Sequence, residues 1–224
     1  MNSPTQAELR ARLMQLFDLL LERYGPLHWW PADTPFEVCV GAILTQNTNW
    51  LNVEKAIANL KREGLLSLEA LWEIDQERLA ELIRPSGFFN IKSARLKHFI
   101  GWLLERYGTL DAMFAEDWRL VREELLAVRG IGRETCDSML LYAGGKPSFV
   151  VDAYTRRLLS RLGLVRETDS YEEVRSLFMD SLPHDSDLFN EYHALIVEQC
   201  KRHCRKKPLC QGCPLQGLCT RPSR

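Results

Sequence analysis

Apolar residues recur in three- and four-residue steps along almost the whole chain, and that spacing restricts it to helices packed on helices. Leu9, Leu13, Leu16, Phe17, Leu20, Leu21 and Tyr24 fall on one face of a helix over 7–24, and Gly25–Pro26 ends it. Further helices are expected over 35–44, 50–60, 68–72, 76–83, 91–107, 117–128, 133–143, 153–162, 171–181 and 187–200. Most of these follow a Ser, Asp or Asn that can cap the first turn, or a Gly/Pro break. A period of two, the mark of a half-buried strand, is missing; only 148–151 is ambiguous. The predicted fold class is all-α.

The 224 residues, 46% hydrophobic and 26% charged, suffice for a real core and for one large or two small domains. No apolar run approaches the roughly 18–20 residues of a membrane span, so no membrane partner is expected. The segment MNSPTQAELR lacks the basic-then-apolar layout of a signal peptide, which makes a cytoplasmic location the expectation. The net charge of −1 hides an asymmetry: residues 201–224 hold seven basic and no acidic residues, and the remainder 22 basic against 30 acidic. A basic segment of this kind is either a solvated tail or a patch facing a polyanion.

That segment also holds Cys204, Cys210, Cys213 and Cys219, spaced C-x5-C-x2-C-x5-C. In a reducing compartment such density points to metal rather than to disulfides. Four thiolates can close a zinc site or hold an iron–sulfur cluster, and the uneven gaps differ from the paired knuckles of zinc ribbons. Cys200, one helical turn before Cys204, competes as a ligand. Cys39 and Cys136 lie in apolar surroundings and read as core residues.

Three further segments carry chemistry. In LAVRGIGRET (126–135), Gly130 and Gly132 flank Ile131 between two helices; with Arg129 they form either a structural turn or a turn whose bare amides bind phosphate. In VVDAYTRR (150–157), Asp152 is at least a helix N-cap. GAILTQNTNW (41–50) reads as a buried helix followed by a polar turn.

Together with the cysteines, this order of motifs resembles the helix-hairpin-helix DNA glycosylase superfamily, specifically its endonuclease III branch, from about Glu8 to Cys219. The resemblance implies two helical domains flanking a DNA-binding cleft: a six-helix domain over 27–146 with the hairpin at 126–135, and a discontinuous one over 1–26 and 147–224. It further implies a [4Fe–4S] cluster of structural role in the loop 204–219, and a monomer acting on double-stranded DNA with a damaged base. The first cysteine gap holds five residues where endonuclease III usually has six, so Cys204 and Cys200 both stay in play. Gly130, Ile131, Gly132 and Arg129, with Lys206 and Lys207 of the loop, are then candidates for phosphate contact. Gln46 matches the family residue that fills the space left by an extruded nucleotide, and Phe88 matches a second wedge.

Bifunctional members carry a lysine two residues after the second hairpin glycine, whose amine forms a Schiff base with the sugar. Here that position is Glu134, and Lys146 lies well outside the hairpin. The expectation is a monofunctional enzyme in which Asp152 stabilises the oxocarbenium-like sugar and directs water to it. Trp29-Trp30-Pro31 and Trp50 are either core or an aromatic slot. Indole faces favour the cationic base made by alkylating a purine, and the segment resembles the 3-methyladenine glycosylase subgroup. On that basis Trp29, Trp30 and Trp50 line a base pocket, to which Glu134 adds negative potential. The competing readings are a glycosylase for uracil, mismatched thymine or an oxidised pyrimidine, and a non-catalytic iron–sulfur protein that binds DNA. With no lysine in the hairpin, borohydride is expected to trap no covalent complex with lesion DNA, and strands are expected to break only after hot alkali.

Overall fold

The structure, a computed structural model, describes residues 5–29 and 32–220. All its regular elements there are helical, and none is long and apolar enough to cross a membrane. The chain divides into two compact units, Met1–Trp29 with Pro147–Arg224, and Trp30–Lys146.

The discontinuous unit contains α1 (Gln6–Tyr24), α10 (Ala153–Arg161), α11 (Tyr171–Ser181) and α12 (Ser186–Arg202). Thr5–Glu8 and Ser170–Glu173 form capping boxes that start α1 and α11, each joining a hydroxyl and a carboxylate to opposite backbone amides. Leu13, Leu16 and Leu20 of α1 are buried, as their spacing requires. Phe149 lies flat on Phe178, with centroids 3.6 Å apart and planes at 7°. Phe189 and Tyr192 meet the Phe149 ring edge-on at 5.4 and 6.0 Å. The Tyr192 hydroxyl donates to the Leu13 carbonyl at 2.7 Å, which ties α12 to α1.

The ambiguous stretch 148–151 is extended but pairs with no strand among the described residues. Phe149, Val150 and Val151 are each at most 1% exposed, so burial on all sides produces the continuous apolar run. The Val151 amide is met by the Tyr171 hydroxyl at 3.3 Å rather than by a sheet ladder.

The second unit holds α2 (Pro35–Leu44), α3 (Trp50–Arg62), α4 (Leu68–Glu73), α5 (Gln76–Leu82), α6 (Phe89–Arg106), α7 (Leu110–Ala115), α8 (Trp118–Ala127) and α9 (Arg133–Ser138). Among the described residues these are eight α-helices against the six that the resemblance implies; α4, α7 and α9 have only six residues each. The six-residue α7, which buries Met113, is too brief to show a helical period in the sequence. The helix expected over 133–143 also changes pitch, passing from α9 into a π-turn over Met139–Ala143. The Phe114 ring leaves no room for a Cβ at Gly144, where that segment ends. Central α2, with Val38, Cys39, Val40, Ile43 and Leu44 at most 6% exposed, is surrounded, which accounts for its unbroken apolar sequence. Cys136 is equally buried.

Phe149 joins the aromatic core to the segment that ends at Asp152. Phe149→Ala is expected to lower the unfolding free energy by about 3–5 kcal/mol, measured by urea denaturation.

Candidate active site and cysteine loop

Asp152 is the N-cap of α10, and its Oδ1 accepts the Thr155 amide at 2.7 Å. Its other oxygen, Oδ2, lies 3.6 Å from Nε2 of His193 on α12; the two side chains are 14% and 5% exposed. Burial pushes the carboxyl pKa up, but the adjacent imidazole and the Thr155 contacts outweigh it, leaving the group below the usual carboxylate value. It is therefore ionised at neutral pH. The Trp29 indole lies against the same imidazole, centroid to centroid 6.0 Å. The Glu191 carboxylate accepts the amides of Leu27 at 2.6 Å and His28 at 3.2 Å, which fixes the approach to Trp29. Trp30 falls outside the described residues. His193 and Glu191 escaped the sequence reading because α12 carries many polar residues and nothing in their spacing singles these two out.

In the other unit, Gly130 and Gly132 turn the chain between α8 and α9. Gly130 has φ +98°, and a Cβ there would come within 2.4 Å of Cγ of Arg95. Ile131 is 5% exposed and its amide donates to the Val128 carbonyl at 3.0 Å, so this residue builds the turn rather than its binding surface. Arg129, Gly132 and Glu134 are on the outside. A paired contact from Arg122 to Asp137, at 2.8 and 3.1 Å, clamps α8 to α9 behind the turn. Gln46 is partly buried: its Nε2 donates to the Gly130 carbonyl at 3.0 Å and the Thr135 hydroxyl at 2.9 Å, and its Oε1 accepts from Arg95.

Phe88 is 63% exposed and sits in the left-handed region, with φ +47°. The backbone at this position thus holds a phenyl ring out to solvent. The turn that carries it is held by Lys92, which is 1% exposed and whose Nζ donates to the carbonyls of Leu44 at 2.8 Å and Ser86 at 2.6 Å. Burial, aided by Arg95, lowers the Lys92 pKa to about 8. Lys92 thereby ties the end of α2, just before Gln46, to the turn before Phe88. Trp50 is partly buried against the core, its ring edge close to Gly41.

The four cysteines of the loop line one cavity with Leu158, Arg161 and Leu162. The Cys200 sulfur lies 3.5 Å from the Tyr154 carbonyl. Arg161 is the organiser: Nη1 reaches Cys204 Sγ at 3.2 Å and the Arg205 carbonyl at 2.8 Å, and its own carbonyl accepts the Thr220 amide at 3.1 Å. Gln199 Nε2 lies 3.1 Å from Cys213 Sγ, while Gln199 Oε1 accepts the Tyr24 hydroxyl at 2.6 Å. Hydrogen bonding from Cys200, then Arg161, draws the Cys204 thiol down to a pKa of about 6, favouring thiolate. Among the described residues no group of three or more His, Cys, Asp or Glu converges on a single metal ion. Four sulfurs around a shared cavity, with a guanidinium and an amide turned toward them, fit an anionic group larger than one ion. Lys206 and Lys207 are exposed.

The HhH-GPD superfamily of base excision DNA repair proteins matches residues 40–184, a span that includes the hairpin, Gln46, Phe88 and Asp152. The chain belongs to this superfamily. It is 50% identical to a Methanocaldococcus jannaschii protein provisionally named a DNA repair glycosylase, over 92% of this chain and 95% of that one. It is 32% identical to endonuclease III of Thermotoga maritima, over 83% and 82%. The structure resembles H. pylori 3-methyladenine DNA glycosylase bound to 1,N6-ethenoadenine, with 32% identity, TM-score 0.73, and coverage of 89% and 98%. It shares its fold with endonuclease III trapped covalently on DNA, at 24% identity, TM-score 0.80, and coverage of 94% and 95%. The protein is thus a DNA repair glycosylase, and DNA is its substrate.

Gly130 allows neither a left-handed L-residue nor a Cβ against Arg95. Gly130→Ala is expected to cost more than about 1 kcal/mol of stability and to weaken duplex binding, measured by thermal unfolding and fluorescence anisotropy.

Proposed function

We propose that this glycosylase is monofunctional and hydrolyses the N-glycosidic bond of alkylated purines, 3-methyladenine first and 7-methylguanine second. The observation that carries the proposal is the grouping of Asp152 and Trp29 on one buried imidazole, which sets an ionised carboxylate and an indole in one locality. The likeness to the H. pylori 3-methyladenine glycosylase supports it, and Glu134 in place of a hairpin lysine supports hydrolysis without a covalent step.

A purine alkylated at N3 or N7 is already cationic, and its glycosidic bond is weak. The C1′–N bond breaks with its electron pair moving to the base, which leaves neutral. The sugar becomes an oxocarbenium cation, and the Asp152 carboxylate stabilises it. Water then adds to C1′ and yields a proton to that carboxylate, giving the free base and an abasic site. Trp29, Trp30 and Trp50 select positive charge through their ring faces, and Glu134 adds negative potential. Gln46 exchanges its bonds to Gly130 and Thr135 for the duplex interior as the nucleotide is extruded, while Phe88 unstacks the neighbouring step. Arg129, Gly130 and Gly132, with Lys206 and Lys207, hold the backbone phosphates.

Cys204, Cys210, Cys213 and Cys219 would hold a [4Fe–4S] cluster. When bound, that group supplies cross-linking of the basic loop rather than chemistry at the sugar.

Duplexes with single lesions, assayed by chromatography of the released base, test the proposal. Wild type is expected to release 3-methyladenine, and Asp152→Asn to be at least about 100-fold slower with DNA binding retained. Equal turnover of uracil DNA, or full activity of the Asn variant, would overturn it.

A further inference from the structure

Capping alone holds Asp152 loosely. A carboxylate fixed through one oxygen to one amide can still swing its other oxygen, whereas stabilising charge at a sugar carbon requires a fixed direction. Burial adds a second difficulty, because it favours the protonated form. A partner on Oδ2 resolves both.

The α12 helix provides that partner. His193 is enclosed, its side chain 5% exposed, with Nε2 3.6 Å from Oδ2 and its ring 6.0 Å from the Trp29 indole. The other charged groups nearby are engaged elsewhere. On α10, Arg156 donates to the Asp169 carbonyl at 2.6 Å and Arg157 to the Cys204 carbonyl at 2.7 Å. On α11, the Tyr171 hydroxyl receives the Val151 amide, and on α12, Cys200 meets the Tyr154 carbonyl. Further along α12, the Glu191 carboxylate is occupied by the amides of Leu27 and His28. His193 is the basic side chain that reaches the carboxylate.

We infer that His193 is a positioning residue for the reaction: its Nε2 fixes Oδ2 of Asp152 while Thr155 fixes Oδ1, so that the carboxylate has one orientation beside Trp29. The inference rests on Asp152 being the catalytic carboxylate of the proposed function. One turn of α12 thereby sets two parts of the site, with Glu191 holding the backbone before Trp29 and His193 holding Asp152. The imidazole also offsets the burial penalty that otherwise raises the carboxyl pKa.

Full-length wild type, His193→Ala, His193→Gln and Asp152→Asn are compared by single-turnover release of 3-methyladenine across pH, by binding to a duplex with an abasic-site analogue, and by thermal unfolding. His193→Ala is expected to be about 10- to 100-fold slower, with binding unchanged. Its rate should fall off on the acid side at higher pH than wild type, because only the Thr155 contacts then oppose burial of the carboxyl. His193→Gln keeps an N–H donor in place of the imidazole. It is expected to recover most of the rate and to shift the acid limb part of the way. If His193→Ala does not fold, the acid limb of the Gln variant is the readout. An acid limb that neither variant moves, or a Gln variant as slow as the Ala variant, overturns the inference and leaves His193 as core packing. Full turnover by Asp152→Asn would instead defeat the reading of Asp152 itself, a result distinct from any outcome at His193.

Discussion

One carboxylate, that of Asp152, meets a local and a long-range partner in the discontinuous unit. Oδ1 of Asp152 completes the first turn of α10 through the Thr155 amide, and Oδ2 faces His193 on α12. The first contact is local and follows from placing Asp before a helical repeat. The second joins residues 41 positions apart and depends on α12 packing against α10. Local capping and long-range packing thus converge on one group. The buried run Phe149–Val151 delivers Asp152 to that place, and the stacked pair Phe149–Phe178 anchors the run. Stability of the discontinuous unit and placement of the acid are therefore one problem.

The second unit uses buried polar groups to a similar end. Lys92 lies in apolar surroundings, yet it binds two backbone carbonyls and so fixes the turns that precede Gln46 and Phe88. Arg95 lays its stem on Gly130 and its head on Gln46, and Arg122 with Asp137 closes the hairpin from behind. Each buried charge is paired or hydrogen-bonded, as a low-dielectric interior demands. The strain left over, at Phe88, falls where a side chain is held out to solvent.

The cysteine loop combines its own backbone turns with contacts to one cation from outside it. Arg161 reaches the Cys204 sulfur and the carbonyls of Arg205 and Lys206, while Gln199 turns its amide to Cys213. Positive charge near thiolates stabilises their ionised form. The same loop exposes Lys206 and Lys207, so the contacts that order the cysteines also present a basic surface.

Much of this was legible in the residue pattern. The three-to-four spacing declared the helices, the dense cysteines declared a segment that gathers sulfurs, and two glycines around Ile131 declared a tight turn. Asp152 stood out as a cap before α10. The six-residue α7, the π-turn at 139–143 and the strandless burial of 148–151 were not legible, because one turn of helix or four apolar residues carry no period. Nor could spacing separate Cys204 from Cys200, one helical turn apart; the fold makes their side chains hydrogen-bonded neighbours, with Cys200 also against the Tyr154 carbonyl. Composition and order, then, determined which local structures form and which chemical groups exist, since backbone sterics and side-chain type act over a few residues. Tertiary structure alone decided that His193, Glu191, Lys92 and Arg161 face Asp152, the Trp29 segment, two turns and the cysteines. Such contacts arise from packing between elements far apart in the chain, which no local pattern encodes.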